Sequence, residues 1–268
     1  MEGRNLEIES RWAAGDLARV KILAKELTAL NPELLLGITT PAAAALQHET
    51  HTMPILFAAV SDPIGSGFVR SLANPDGNIT GFMFIEASLA GKWPDIMRAI
   101  APQVSSVGLM FNPVTAPYAR YYLEMFYPAA ATLHIETIEA VVTSTADIES
   151  IMAKFSDAHA GLVVMPDTFL FANRKKIISL AERYRLPTIY PFQSFVAEGG
   201  LISYGADPIE TFTGAATYAD RILKGAKPNE LPVQLPTKFY LALNLTTAKT
   251  LGISFPPSLL FTADEVTE

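Results

Sequence analysis

Cysteine is absent from the 268-residue chain, so disulfides and thiolate chemistry are excluded. Charge is sparse: charged residues make up 18% of the chain, and acids and bases are interspersed at a formal net charge of −7. That leaves no basic footprint for nucleic acid or an anionic membrane surface. No apolar run reaches the length of a transmembrane helix. The opening MEGRNLEIES has no basic region followed by an apolar one, so no secretion signal is read there. On this reading the chain is cytoplasmic, processed, or an incomplete copy of something longer. Catalytic signatures are missing as well. GSGFVR (Gly65–Arg70) starts like a dinucleotide fingerprint but has Arg70 where the third glycine belongs, and it follows a late strand. There is no G-x-S-x-G elbow and no phosphate loop ending in Gly-Lys. His48 and His51 sit at one helix end without a third metal ligand. No cofactor and no metal are expected.

What is present is an alternation of strands and helices. Half of the residues are hydrophobic, enough for one large or two modest cores. NLEIES (Asn5–Ser10) alternates like a strand. Asp16 caps a helix with Leu17, Val20, Ala24, Leu27 and Leu30 at helical spacing, and Asn31-Pro32 ends it. Leu34–Ile38 is a short continuous apolar run of the kind buried on both faces of a parallel sheet. Two threonines and Pro41 follow, which predicts Thr40 as the N-cap of the next helix. Strand Pro54–Val60, a short helix in SDPIGSGFVRSL, strand Gly77–Phe84 and a helix over 88–100 complete a first series.

A second series starts with strand 106–111 and an aromatic-rich helix from about Tyr118 to Ala131. Strand Leu133–Val141 follows. Ser144 and Asp147 then form a capping box before Ile148, Ile151, Met152 and Phe155. GLVVMPD, LPTIYPF and GGLISYG are strands, with a helix over 171–185 between the first two. Such alternation predicts parallel sheets covered on both faces. LLLGITTP, MPILFAAVSDP and GNITGF in the first series match LVVMPD, LPTIYPF and GGLISYG in the second. Two similar α/β lobes are therefore expected. The second series has a strand and helix ahead of LHIETIEAV that the first, starting at NLEIES, lacks.

Polar residues gather at the carboxyl ends of the strands: Thr39 and Thr40, Asp62, Asn112, Asp167, and Tyr204 to Asp207. Ligands of open parallel sheets bind outside those ends, so a cleft between the lobes is expected. The helix starting at Thr40 and Ala42 suits a carboxylate or phosphate. Tyr118 and Phe192 are the aromatic candidates for such a site. With no nucleophile or cofactor motif beside the aspartates, charge recognition is the more economical role than acid–base work.

ITTPAAAALQ, PILFAAVSDPIGSGFVRSLANPDGNITGF, RLPTIYPFQSFVAEGGLISYG, ILKGAKPNELPVQLPTKFYLALNLTTAKTLGISFPPSLL and ADEV resemble the ABC-transporter substrate-binding proteins that include tryptophan- and phenylalanine-binding members. The resemblance implies a periplasmic-binding-protein-like fold of two Rossmann-like lobes with parallel sheets, joined by a hinge that the chain crosses three times. Its boundaries would be 1–86 and 207–231 for lobe one, and 87–206 and 232–268 for lobe two. Lobe one would lack the first strand and helix that family members have. The resemblance also implies a small-molecule ligand, often an amino acid or aromatic molecule, handed to a membrane permease outside the cytoplasm, and no catalysis. Carried onto this chain, it places Thr40, Ala42 and Asp62 in lobe one, Asn112 and Asp167 in lobe two, and Asp207 at the hinge. Without its central strand, lobe one is expected to re-pair Asn5–Ser10 with Leu34–Ile38 or to associate with another copy. The alternatives are a cytoplasmic ligand-sensing domain of regulator type, and a two-domain enzyme using the cleft aspartates.

Overall fold

The computed structural model describes residues 3, 5–84, 87–158 and 160–268. The chain divides into two compact units: Met1–Phe84 with Pro208–Pro236, and Ile85–Asp207 with Thr237–Glu268. In chain order, unit 1 begins with α1 (Leu17–Ala29), β1 (Leu35–Ile38), α2 (Thr40–Glu49), β2 (Ile55–Val60) and β3 (Ile79–Met83). Unit 2 continues with α3 (Trp93–Ile100), β4 (Ser106–Phe111), α4 (Ala119–Thr132), β5 (Glu136–Val141), α5 (Thr145–Asp157) and β6 (Gly161–Val164). Then come α6 (Thr168–Ala172), α7 (Arg174–Arg183), β7 (Thr188–Tyr190), α8 (Gln193–Ala197) and β8 (Ile202–Ala206). The chain returns to unit 1 for α9 (Pro208–Leu223) and ends in unit 2 with β9 (Phe239–Asn244), α10 (Leu245–Leu251), α11 (Pro257–Thr262) and β10 (Glu265–Thr267).

Unit 2 carries a seven-stranded sheet in the order β10-β9-β8-β7-β6-β4-β5. Its pairs are parallel except β8 with β9. Every residue of β4 and β6 is buried, as central parallel strands require. Helix α5 shows how the sequence reaches this packing. Ser144 Oγ accepts the Asp147 N–H, and the Asp147 carboxylate accepts the Thr143 and Ser144 N–H groups. Those bonds, the Thr143 N–H first among them, lower the Asp147 pKa to about 2. The helix then buries Ile148, Met152 and Phe155. Phe155 lies over Gly108 of β4, where a Cβ would stand only 2.4 Å from the ring.

Unit 1 has a three-stranded parallel sheet, β1-β2-β3. One face packs Leu35, Ile55, Phe57 and Ile79 with Ala24, Ala43 and Leu46 of α1 and α2. The other packs Leu56 and Ala58 with Ala215, Tyr218 and Ile222 of α9, and with Leu231.

Several expectations need correction. Residues 5–10 form no strand beyond a single bridge position at Leu6. Leu6 is 37% and Ile8 54% exposed, so the alternation has no layer to bury its apolar side, and alternation alone does not hold a strand. Among the described residues, the one strand that pairs with β1 is β2. SDPIGSGFVRSL forms turns rather than a helix: Pro63 O accepts both the Phe68 and Val69 N–H groups, and Gly67 takes φ +74°. The N-cap of α2 is Thr39, with Thr40 as the first helical residue. Two helices shorten or split: residues 87–91 are a 3-10 turn ahead of α3, and α6 and α7 divide at Asn173.

Candidate ligand-binding surfaces

In unit 2 the carboxyl ends of β4 and β6 are laced together by Asp167. This residue is the N-cap of α6 and is 3% exposed. Its Oδ1 accepts the Thr115 hydroxyl at 2.6 Å and the Phe169 N–H at 2.7 Å, and its Oδ2 accepts the Asn112 N–H at 2.7 Å. Burial pushes the Asp167 carboxyl up, and these hydrogen bonds oppose it. Asn112 is also buried; its side-chain oxygen accepts the Val114 N–H at 2.9 Å. The Tyr118 hydroxyl donates to the Pro166 carbonyl at 2.9 Å. Three of the residues picked from the sequence thus brace one another's loops.

Beside this brace lies an aromatic face. Phe192, the N-cap of α8, meets Phe171 of α6 edge to face at 5.7 Å between centroids. Phe171 is 38% exposed, and the Arg174 guanidinium lies 4.7 Å over its ring, held by Glu198 at 2.8 Å. The sequence reading missed Phe171. Its one signal was position, four residues beyond Asp167. Tyr204 lies in β8, where its carbonyl accepts the Trp93 indole N–H at 3.3 Å. Burial, then Asp264, raises its hydroxyl pKa. The Asp207 N–H donates to the Lys238 carbonyl at 3.1 Å.

In unit 1, β1 and β2 are parallel neighbours, so Thr39–Thr40 and Asp62 emerge at the same end of the sheet. Asp62 Oδ1 accepts the Gly65 N–H at 2.7 Å and shapes the turn after β2. The start of α2 is differently built. Thr39 adopts φ +83° and makes no side-chain cap bond. A β-branched residue there is strained by roughly 1–3 kcal/mol. Thr40 is 8% exposed, and its hydroxyl has no hydrogen-bond partner. Pro41 supplies no N–H, and Ala42 is half-buried in the first turn. The result is an uncapped helix N-terminus with one buried hydroxyl beside it, an arrangement that suits an anion. A groove of about 570 Å³ lined by Gln47, His51, Arg70, Asp76 and Asn78 lies at the amino end of β3, the opposite end from Thr40. Among the described residues no group of three His, Asp or Glu could hold a metal ion.

Two α/β units with parallel-dominated sheets, bearing polar and aromatic residues at the strand carboxyl ends, define the class of periplasmic-binding-protein-like receptors. The chain belongs to the family described as ABC transporter substrate binding protein, whose pattern matches residues 1–267. It is a family of solute-binding proteins, not of enzymes. The chain is similar to a conserved domain protein of Vibrio cholerae at 31% identity and TM-score 0.92, covering 99% of this chain and 89% of that one. It is similar at 28% identity and TM-score 0.87 to the ABC domain in complex with L-Trp from Streptococcus pneumonia, over 94% of this chain and 84% of that one. A Tyrosine-binding protein of Clostridioides difficile is 22% identical over 255 residues, 94% of this chain and 72% of that protein. Among the described residues no helix is long and apolar enough to cross a membrane.

Proposed function

We propose that the protein captures an aromatic or apolar amino acid by its carboxylate and presents it to an ABC permease outside the cytoplasm. The observation that carries this reading is the start of α2, with its missing cap and the unpartnered, buried Thr40 hydroxyl. A carboxylate there would satisfy the hydroxyl and the first-turn N–H groups together. The Phe171–Phe192 pair supports an aromatic side chain, since an edge-to-face pair extends readily to a third ring. The relatives named for tryptophan and tyrosine point the same way. Asn112, Tyr118, Tyr204 and Asp207 are further contact candidates. The ligand leaves unchanged.

Calorimetry with L-tryptophan, L-tyrosine and L-phenylalanine, each set against its decarboxylated amine, tests this reading. The amino acids should bind, and the amines should lose about 1.5–3 kcal/mol, the value of a hydrogen bond to a charged group. Equal affinity for acid and amine would remove the carboxylate from the α2 site.

A further inference from the structure

In unit 2, Phe171 reaches solvent above a buried aromatic stack. Tyr190 and Phe195 are buried, and their rings stack at 4.9 Å between centroids. Phe171 meets Phe195 edge to face at 6.1 Å and Phe192 at 5.7 Å, and still keeps more than a third of its surface open. An exposed phenylalanine is by itself ordinary. Its cover is not. Arginine usually lays its stem on apolar surface and keeps its charged head in water. Here the Arg174 head itself lies over the Phe171 ring, 4.7 Å from the centroid, with only 26% of the side chain exposed.

Two bonds fix that head. Arg174 Nε donates to Glu198 Oε1 at 2.8 Å, and Nη1 donates to the Phe171 carbonyl at 3.2 Å. Phe171 belongs to α6, and Glu198 is the C-cap of α8, the helix that Phe192 opens. Both helices have five residues, too few to hold their geometry unaided. Arg174 therefore ties the element bearing one ring to the element bearing the other. Glu198 meets its charge, so the pair has no net charge with which to draw a ligand anion. What remains is the effect on the ring. A cation over one face draws π density toward itself. The edge and the opposite face of Phe171 are then less negative than those of an ordinary phenylalanine, and a ring that docks there meets an electron-poor partner.

We infer that Arg174 is a positioning residue that sets ligand specificity: it holds Phe171 as an electron-poor ring, so this surface selects electron-rich aromatic side chains, indole and phenol before phenyl. Glu198 serves the same end by holding the guanidinium over the ring and away from the ligand's carboxylate. The inference rests on the aromatic amino-acid reading given above and adds to it which rings are preferred and which side chain decides.

Calorimetry on the full chain tests it with L-tryptophan and L-phenylalanine, each set against its ring-fluorinated analogue, tetrafluoro-L-tryptophan and pentafluoro-L-phenylalanine. Fluorination changes the ring's shape little and reverses its charge distribution. The ratio of parent to fluorinated affinity should be about two- to tenfold higher in the wild type than in Arg174→Met, the range of an aromatic pair. The added apolarity of the fluorinated ring is common to both proteins and cancels in this comparison. Arg174→Lys returns a cation and should restore part of the preference, which a mere loss of packing would not allow. Phe171→Leu keeps the Arg174–Glu198 pair, removes the ring and should lower the ratio as Arg174→Met does. It decides the matter if the methionine variant fails to fold. Parents that bind with the same ratio in wild type and variants overturn the inference and leave the amino-acid reading standing. No binding of any of the four compounds overturns that reading, and the inference with it.

Discussion

Asp167 and Thr39 hold corresponding positions, each the N-cap of the helix that follows an equivalent strand. Asp167 sits in extended backbone with its carboxylate bonded twice to the turn after β4; Thr39 sits at φ +83° with no side-chain cap bond. The helices packed beside them differ in the same sense: α5 buries Ile148, Met152 and Phe155, and α1 buries Ala24. The lesson is that a central strand does more than fill a ladder. It supplies the donors that fix the next turn and the surface on which the flanking helix packs. At the end of β1, an unmet hydroxyl and a strained backbone angle stand together at Thr40 and Thr39, where a ligand can use them.

The largest expected contrast lies in the helices. Phe155→Ala should cost about 3–5 kcal/mol, the range for an aromatic cut from a core. Ile22→Ala on α1 should stay within about 0.5 kcal/mol. Urea unfolding measures both, and equal losses would dissolve the difference between the helices.

Next is the brace. Asp167→Asn replaces an accepting oxygen with an amide that cannot take the Asn112 N–H, and should cost about 1.5–3 kcal/mol at neutral pH. Burial raises the Asp167 pKa, so the native state keeps its proton to a higher pH than the unfolded chain. The titration of this group therefore adds stability that is fully present below the unfolded carboxyl value of about 3.9 and is lost as pH rises through the raised native value, separately from the hydrogen bonds of the brace. The wild type should carry that falling component and the asparagine variant should not. Thermal midpoints measured in steps upward from pH 3 would show it.

The smallest effect has the opposite sign. Glycine tolerates φ +83° where threonine does not, so Thr39→Gly should stabilise the protein by roughly 0.5–1 kcal/mol. Glycine at position 167 should destabilise it, because the brace is lost. If both substitutions destabilise, Thr39 is not strained in the way its backbone angle implies.

The alternation of strands and helices was legible because buried parallel strands such as β4 and β6 are short apolar runs between capped helices. The Asp16 cap and the Ser144–Asp147 capping box were legible for the same reason: both are local. What could not be read was whether a segment had neighbours. NLEIES has the pattern of a strand and no partner, and Leu34–Ile38 reads as buried on both faces while Leu36 and Ile38 stay open. The candidate residues were found by their place at strand ends, which their composition marks. Their bonds were not, because Thr115 lies 52 residues from Asp167 in sequence, and no local signal ties Phe171 to Phe192. β9 went unassigned, since its pairing with β8 returns from beyond α9.

Unit 1 is made from two stretches of chain, and this bears on how the protein is made. Leu56 and Ala58 pack on Ala215, Tyr218 and Leu231, and the Thr80 hydroxyl donates to the carbonyl of Leu231, 151 residues later. On the ribosome, β1 to β3 emerge early, with the α9 side of their sheet still bare. The run from β4 to β8 is complete before that cover is synthesised. Long-range closure of this kind is slow, and exposed apolar strands are prone to aggregate while they wait. The first unit to be translated is therefore the one that waits longest for its second stretch, and chaperones that hold nascent chains have their longest window on residues 35–83.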